Sequence, residues 1–585
     1  MKDHEKRRRV IPYWKNQEMP NPGELYTDPL FPPNINSILA LDKNGKPIDN
    51  KAYKENSNQI KNDEIEFIRA IDIFGSKYKL FSEKIEMADV IQGSIGDCYF
   101  LSSVANLCKF PGLINSLFKT KEMNRDGYYE IYFYIDGRKQ IVIVDDYFPV
   151  YKKNKWPCFA QPNGKEIWVM LLEKAWAKIN GGYVNIIGGM SSQALECLTG
   201  FGSLVYKTSN MKPEELNNCK GEIIKNIKIA KESHCLISCA TGDINDKELE
   251  KVGLIKTHEY TIINISQIST SEGKSEYLLR LRNPWGKEEW TGDWSDKSSL
   301  WTESLKNQLN FRDKKDGIFF ICEDDFFKYF KYITICYILY DSTSIKYSIE
   351  GEDNLKNASV FNIETENDGF LSVLALRKNW RTNRELRGKE LPTHISIVKY
   401  NPKEIDRLKK FSDYSGTYTS YETCTLNIKV SKGNYLIYVY RYLDNNDIFH
   451  EQSMNIKIIC SAKFKHAQMS YDERNKGFPL LQNIILQTEI NKRKLNSKLG
   501  EDCNFTSQQI GGNGIIGYIY FYSTPGFVTK FTVNQKELIM LTPYLGASVS
   551  SFQKIIPSGK YLILLGLLKK EGASYLFQTN PFITS

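Results

Sequence analysis

The fold is decided by one stretch, residues 92–103, which reads Gln92-Gly93-Ser94-Ile95-Gly96-Asp97-Cys98-Tyr99-Phe100-Leu101-Ser102-Ser103. Its two glycines permit a tight loop. After Cys98, apolar residues recur at helical spacing as far as Leu107, which predicts a helix that begins at the cysteine. The positive end of a helix dipole lowers the pKa of a cysteine and favours the nucleophilic thiolate. The alternative for any one of the twelve cysteines is a buried structural role.

A thiolate nucleophile needs a base, and the base needs a group that orients it. Among the six histidines, His258 stands at the head of a β-branched run that predicts a strand. A second predicted strand ends in Asn-Pro-Trp-Gly, where Asn283 can hold an imidazole and Trp285 can shield that bond from water. The order Cys, His, Asn along the chain suits a papain-like protease.

Several motifs in one order resemble those of the calpain family of cysteine proteases. They are Gln-Gly-x-x-Gly-Asp-Cys from residue 92, His-x-Tyr from residue 258, and Arg-Asn-Pro-Trp-Gly-x-x-Glu-Trp-Thr-Gly-x-Trp from residue 282. The likeness extends to Tyr-Thr-Asp-Pro-Leu-Phe-Pro-Pro at 26–33, to Leu-Leu-Glu-Lys-Ala-Trp-Ala-Lys-Ile-Asn-Gly at 171–181, and to Asp-Gly-Ile-Phe-Phe at 316–320. The resemblance thus covers residues 24–335.

The resemblance implies four catalytic roles. Cys98 is the expected nucleophile, His258 the base that later protonates the leaving amine, and Asn283 the group that orients His258. The side-chain amide of Gln92 is expected to stabilise the oxyanion together with the Cys98 backbone N–H.

Three neighbours of these residues receive supporting roles. Trp285 and Tyr99 are expected to form the cleft wall, with Tyr99 standing where the family usually has tryptophan. Asp97 is expected to brace the loop rather than act as a catalytic acid.

Calcium binding is implied by the resemblance alone, because calpain protease cores bind two calcium ions. The first site is expected at Asp89 and Glu173, with backbone carbonyls near Ser82 and Lys84. The second site is expected at Glu289, Asp296 and Asp316. Carboxylate and carbonyl oxygens from separate loops are the ligands that calcium requires.

Two residues depart from the calpain pattern. Met87 replaces the family's arginine and Ile318 its glutamate, which in calpains pair across the subdomains when calcium is bound. We therefore expect that calcium control is weakened, or that an apolar contact between Met87 and Ile318 closes the cleft without calcium.

Local patterns predict further elements of the first part of the chain. Residues 128–135 and 138–144 read as a hairpin whose Asp136-Gly137 pair forms a type I′ turn. Residues 166–179 read as a helix that ends at the glycine pair 181–182. A change from helix-rich to strand-rich sequence places a hinge between residues 198 and 205.

Length and repeats predict the domain organisation, since 585 residues suggest about four domains of ~150 residues. Residues 431–439 and 557–565 echo each other as Gly-x-Tyr strands, which predicts two all-β sandwiches. The expected fold is an α+β papain-like protease core with two subdomains, followed by two calpain-type β-sandwiches without an EF-hand domain. The predicted parts are an N-terminal extended segment that begins the core (1–85), the nucleophile subdomain (86–200), the His and Asn subdomain (201–340), and the two sandwiches (341–465 and 466–585).

Composition narrows the functional classes. The 78 basic and 69 acidic residues are interspersed, so the net charge of +9 indicates a solvated surface and no nucleic-acid partner. The charged N-terminus leads into no apolar core, and scattered cysteines without a secretory signal predict a cytoplasmic protein.

The leading interpretation is an intracellular endopeptidase that makes limited cuts in protein substrates. The alternative is a silent scaffold whose sandwiches bind phospholipid membrane or cytoskeleton, whereas Asn283 disfavours a transglutaminase, which normally uses an aspartate.

Overall fold

In the computed structural model, residues 64–339 are described almost continuously and the C-terminal part as separate strands. The described residues are 17, 21–39, 64–209, 211–233, 235–270, 273–339, 342–349, 359–376, 393–400, 414–419, 423–441 and 454–468, and seven strands after residue 504. Much of the predicted N-terminal segment, residues 1–16 and 40–63, lies outside them. The chain divides into two compact units, residues 1–338 and 339–585.

The described part of the first unit contains ten α-helices. Their bounds are α1 Ile35–Ile38, α2 Ala70–Phe74, α3 Cys98–Leu107, α4 Pro111–Leu117, α5 Trp168–Asn180, α6 Ser191–Thr199, α7 Pro213–Glu232, α8 Asp246–Glu250, α9 Glu303–Leu309 and α10 Glu323–Tyr329. Helix α3 begins at the cysteine, as the apolar spacing predicts.

The strands of the first unit form antiparallel sheets. Their bounds are β1 Ile65–Arg69, β2 Tyr128–Ile135, β3 Arg138–Asp145, β4 Tyr147–Tyr151, β5 Ser203–Lys207, β6 Leu236–Thr241, β7 Glu259–Ser269, β8 Ser275–Arg282, β9 Ile318–Cys322 and β10 Phe330–Cys336. Strands β1 and β4 pair, as do β2 and β3, and the other six form one sheet in the order β5-β10-β6-β7-β8-β9. His258 therefore directly precedes β7, and Asn283 directly follows its neighbour β8.

Two large hydrophobic cores and a smaller cluster around Trp294 and Trp301 stabilise the described part of the first unit. The first core draws on residues 31–198 together with Leu236, Cys336 and Ile338, and it includes the fully buried apolar face of α3. The second core draws on residues 223–335 and lies against the six-stranded sheet. We call the parts around these cores lobe 1 and lobe 2.

The described part of the second unit consists of strands. Their bounds are β11 Thr343–Ile349, β12 Ser359–Thr365, β13 Gly369–Leu376, β14 Thr393–Tyr400, β15 Tyr414–Thr419, β16 Thr423–Val430, β17 Gly433–Arg441, β18 Met454–Cys460, β19 Phe464–Gln468, β20 Phe505–Gly512, β21 Ile515–Tyr522, β22 Phe527–Val533, β23 Leu538–Met540, β24 Ser551–Ile556, β25 Tyr561–Leu568 and β26 Phe577–Ile583. They form sheets β11-β18-β13-β16, β15-β14-β17-β12-β19, β20-β21-β25-β23 and β24-β22-β26.

The first two of these sheets share a core. Val373 and Ile456 from one sheet and Phe361 and Ile437 from the other belong to the same buried cluster. In the described parts of both units, no helix is long and apolar enough to cross a membrane.

Candidate active site

The loop before Cys98 is held close to a neighbouring segment. A Cβ atom at Gly93 would lie 1.9 Å from the carbonyl oxygen of Phe159, so only glycine fits there. The Ser94 backbone N–H donates to the carbonyl oxygen of Cys158 at 2.8 Å. These contacts place half-buried Cys98 at the first turn of α3.

His258 and Asn283 form a buried, tightly oriented pair. The Nε2 atom of His258 lies 2.9 Å from the side-chain oxygen of Asn283. The Asn283 Nδ2 atom donates to the carbonyl oxygens of Lys287 and Glu288 at 2.9 and 3.0 Å. Because both of its hydrogens are used in this way, the amide must turn its oxygen toward the imidazole. The Nδ1 atom of His258 is thus the one left to exchange a proton with a thiol.

Trp285 joins this pair to the loop that precedes the nucleophile. Its ring centroid lies 4.8 Å from that of His258, and its indole nitrogen donates to the side-chain oxygen of Gln92 at 2.8 Å. Because an indole N–H can only donate, this bond sets the orientation of the Gln92 amide. The Nε2 atom of Gln92 donates to the Ile95 carbonyl oxygen at 2.7 Å, which uses one of its two hydrogens.

Burial sets the charge state of the nucleophile and the base. It raises the pKa of the Cys98 thiol to about 12, to which the nearby carboxyls of Glu259 and Asp97 contribute. It lowers the pKa of His258 to about 4. The prediction of a lowered cysteine pKa at the helix start is therefore wrong for the resting site, because desolvation outweighs the helix dipole. Burial by itself thus favours the neutral thiol and the neutral imidazole.

Asp97 has a partner that the sequence did not indicate. Glu173 lies beside it, and both carboxyls are fully buried, which raises the pKa of Asp97 to about 7 and that of Glu173 well above its usual range. Glu173 also accepts a hydrogen bond from the Ala160 backbone N–H at 2.8 Å. A proton shared by the two carboxyls would offset their repulsion. Neither Asp97 carboxyl oxygen accepts a hydrogen bond from a donor among the described residues, so the loop-bracing role of Asp97 stays a prediction.

The predicted first calcium site needs a correction. Glu173 pairs with Asp97, whereas the carboxylate that faces Asp89 belongs to Glu166. Glu166 accepts a hydrogen bond from the Ser82 backbone N–H at 3.0 Å. Glu166 lies two residues before α5, whereas Glu173, seven residues later, lies within the helix. Which of the two glutamates faces Asp89 therefore depends on where the helix begins. Sequence reasoning missed Glu166.

The three carboxylates of the predicted second calcium site interact electrostatically. Burial, and next the charge of Glu289, raise the pKa of Asp296 to about 6, and Asp316 contributes in the same direction. Glu289 accepts a hydrogen bond from the Gly317 N–H at 2.7 Å. Within the described residues, no three His, Cys, Asp or Glu side chains converge closely enough to form a metal-binding group.

Tyr99 does not form a cleft wall. Its side chain is 1% exposed, and its hydroxyl accepts a hydrogen bond from the indole of Trp176 at 3.1 Å. The second position of α3 therefore points into the core of lobe 1, because the helix turns it away from the side that presents Cys98. The prediction for Tyr99 is wrong, whereas Trp285 lies against His258.

Hydrogen bonds between protein groups join the two lobes around the site. In lobe 2, the buried Arg282 donates to the Val90 carbonyl oxygen at 3.1 Å. In lobe 1, the Asn106 amide donates to the Ile237 carbonyl oxygen at 2.8 Å. Together with the bond between Trp285 and Gln92, these contacts hold the His–Asn pair against the loop of the nucleophile.

A thiol at a helix start, an imidazole held by an amide and a side-chain amide beside the thiol loop define the class of thiol hydrolases. The family model described as calpain family cysteine protease matches residues 26–337. The chain belongs to this family.

Curated relatives share the protease region. The identity is 31% over 335 residues with calpain-type cysteine protease DEK1 of Zea mays, which covers 56% of this chain and 14% of that protein. It is 35% over 256 residues with calpain clp-4 of Caenorhabditis elegans (42% and 35% covered) and 30% over 329 residues with the calpain-1 catalytic subunit of Bos taurus (55% and 43% covered). The chain thus spans less than half of the length of each of these relatives.

Proposed function

We propose that the chain is a cysteine endopeptidase in which Cys98 attacks the peptide carbonyl. The observation that carries this proposal is the 2.9 Å bond between His258 and Asn283, with the amide held by two carbonyl oxygens. Such an arrangement prepares an imidazole to accept a proton at its other nitrogen. The test is hydrolysis of an unfolded protein such as casein by the full-length chain: fragments are expected, and intact casein at every calcium concentration contradicts the proposal.

The reaction follows from these groups. The Cys98 thiol gives its proton to His258 Nδ1 as the sulfur bonds to the carbonyl carbon of the substrate. The oxyanion receives hydrogen bonds from the Cys98 backbone N–H and the second hydrogen of Gln92 Nε2. His258 returns the proton to the leaving amine, and the C–N bond breaks to give a thioester. Water, deprotonated by His258, then hydrolyses the thioester and regenerates the thiol.

Replacing Gln92 by alanine is expected to lower kcat by about 10²-fold, because one oxyanion donor is lost. Gln92→Glu is the matched variant, since a carboxylate still accepts the indole hydrogen bond of Trp285 but donates none. Both variants are expected to lose similar activity in a steady-state peptide assay. Wild-type kcat in Gln92→Glu alone would show that Gln92 acts only by holding Trp285, and wild-type kcat in both variants would show that neither role matters.

The substrates we propose are exposed, extended segments of other proteins, because a cleft between two lobes accommodates extended backbone.

We propose a papain-like arrangement of the two lobes and a sandwich arrangement of the paired sheets in the second unit. The shared core of the first two sheets supports the latter. A cytoplasmic location remains our proposal, as does membrane or cytoskeleton binding by the second unit.

We propose that the calcium sites of the family are retained in altered form. Asp89 and Glu166 fit a hard cation, since two carboxylates face each other and the Lys84 carbonyl lies 2.7 Å from the Ser82 hydroxyl. Glu289, Asp296 and Asp316 are the candidate ligands of the second site. When bound, calcium would supply the positive charge that relieves the repulsion among these carboxylates. A contact between Met87 and Ile318 remains a proposal.

Peptidase activity is expected to change by less than roughly fivefold when calcium is removed with chelator, because the hydrogen bonds that join the lobes need no cation. The measurement is peptide hydrolysis in chelator and in buffered calcium, with tryptophan fluorescence as a second readout. Glu166→Gln is the matched variant and is expected to lose the calcium-dependent fluorescence change. Activity that vanishes in chelator and returns with micromolar calcium contradicts this expectation.

A further inference from the structure

A cavity of about 220 Å³ lies between the two lobes, at a place that the proposed mechanism does not use. Lobe 1 contributes Lys109 and Phe110, from the loop between α3 and α4. Lobe 2 contributes residues of helix α7, of strand β7 and of the start of β6. A molecule in this cavity would therefore contact both lobes.

The cavity forms where two neighbouring strands separate. The pairing of β7 with β6 ends at Thr261. One residue further along each strand, the carbonyl oxygen of Ile237 accepts a hydrogen bond from the Asn106 side chain at 2.8 Å, and that of Ile262 accepts one from Lys109 Nζ at 2.6 Å. Directly after Ile262, the pairing of β7 with β8 passes over one residue, and such a bulge bends a strand. Side chains of lobe 1 thus satisfy the carbonyl groups that the separated strands leave unpaired.

Most of the cavity wall is apolar. The side chains that form this part of the wall are Phe110, Ile227, Ile237, Ile262 and Ile265. A cavity of roughly 150 Å³ with such a lining holds one benzene ring. A volume of about 220 Å³ therefore suits one ring or chain of about six to eight carbon atoms.

The polar part of the wall is cationic. Lys109 has three hydrogens to donate when it is charged, and the Ile262 carbonyl takes one of them. Burial lowers the pKa of Lys109 to about 7, against the opposite influence of the Cys235 thiol. The exposed Lys231 lines the same cavity and marks its entrance. Among the described residues that line the cavity, none is acidic, so a bound anion would supply the counter-charge that stabilises the Lys109 ammonium.

We propose that this cavity is a binding site for a small carboxylate that carries one apolar chain or ring. The carboxylate accepts hydrogen bonds from Lys109, and Lys231 adds positive charge at the entrance. The apolar part of the ligand packs against the isoleucines of lobe 2. A charge-assisted hydrogen bond in a partly desolvated site is stronger than a neutral one. This inference does not depend on the proposed endopeptidase function.

The test titrates three probes of equal chain length into the full-length chain and measures binding by isothermal titration calorimetry. The probes are hexanoate, hexanol and hexylammonium, which differ only in the charge and hydrogen bonding of the head group. Hexanoate is expected to bind at least about tenfold more tightly than either of the others. It is also expected to raise the temperature of unfolding, because it binds the folded chain. Equal affinities for the three probes, or no detectable binding of hexanoate, overturn the inference.

Two variants locate the binding site. Lys109→Met keeps a long apolar side chain but removes the amine, so the ratio of hexanoate to hexanol affinity is expected to fall close to one. Lys231→Glu reverses an exposed charge and is expected to weaken hexanoate binding by about threefold without affecting hexanol. The control is Lys225→Met, an exposed lysine of α7 outside the cavity lining, which is expected to keep the wild-type ratio.

An unchanged ratio in Lys109→Met overturns the inference. If that variant fails to fold, as judged by circular dichroism, Lys231→Glu decides, and wild-type affinity for hexanoate in it overturns the inference. Because binding is measured directly, a chain without peptidase activity still gives a result. Failure of the carboxylate site and failure of the endopeptidase proposal are therefore distinguishable.

Discussion

Replacement of Cys98 by alanine is expected to lower kcat for peptide hydrolysis by on the order of 10⁵-fold or more, to the background of the assay. The thiol is the atom that bonds to the substrate, and alanine leaves His258 without a proton donor to activate. The loop contacts around Gly93 and Ser94 involve backbone atoms and stay intact. The fold should therefore be unchanged, which thermal unfolding of wild type and variant would verify.

The matched control for Cys98→Ala is Cys219→Ala. Cys219 is also half-buried, but it lies on α7 with its thiol near Met211, far along the chain from the loop of the nucleophile. Its replacement is expected to leave kcat at the wild-type value. Substantial activity in Cys98→Ala, or loss of activity in the control alone, would place the nucleophile elsewhere.

Asn283→Ala is expected to lower kcat by roughly 10³-fold, with a much smaller change in KM. The amide oxygen is the hydrogen-bond partner that fixes the ring of His258, and without it the imidazole can turn away or adopt the wrong tautomer. The effect should appear in the chemical step, since the Asn283 side chain is buried and does not reach the substrate. Single-turnover acylation rates measure that step directly.

Asn283→Asp tests whether an acceptor for His258 is enough, without the two hydrogen bonds that the amide nitrogen donates. A carboxylate still accepts from His258, but it cannot donate to the carbonyl oxygens of Lys287 and Glu288. It would also raise the pKa of the imidazole, because an opposite charge favours the protonated ring. We expect a lower kcat and a pH profile displaced upward on its acid side. An unchanged kcat in both Asn283 variants would mean that the observed bond does not orient the base.

Local sequence signals predicted several elements of lobe 1. The Asp136-Gly137 pair forms the turn between β2 and β3 with positive φ angles of 50° and 71°, as a type I′ turn requires. Helix α5 ends at Gly181, whose φ of 79° is left-handed, as the glycine pair predicts. These features depend on a few neighbouring residues, so a single sequence is enough to find them.

Features that depend on packing between distant segments escaped sequence reasoning. The exposure of Tyr99 depends on how α3 lies against Trp176, and the choice of Glu166 over Glu173 depends on the start of α5. The pKa of Cys98 could not be obtained from its place on a helix, because burial of the thiol dominates it.

The most direct test of the account is covalent trapping with a peptidyl epoxide that reacts only with an activated thiolate. Intact mass and peptide mapping of the full-length chain are expected to show one adduct, on Cys98, whose formation slows strongly in His258→Ala. An adduct absent under all conditions, or adducts distributed over half-buried Cys197 and Cys219 regardless of His258, would contradict the claim that Cys98 is the activated nucleophile.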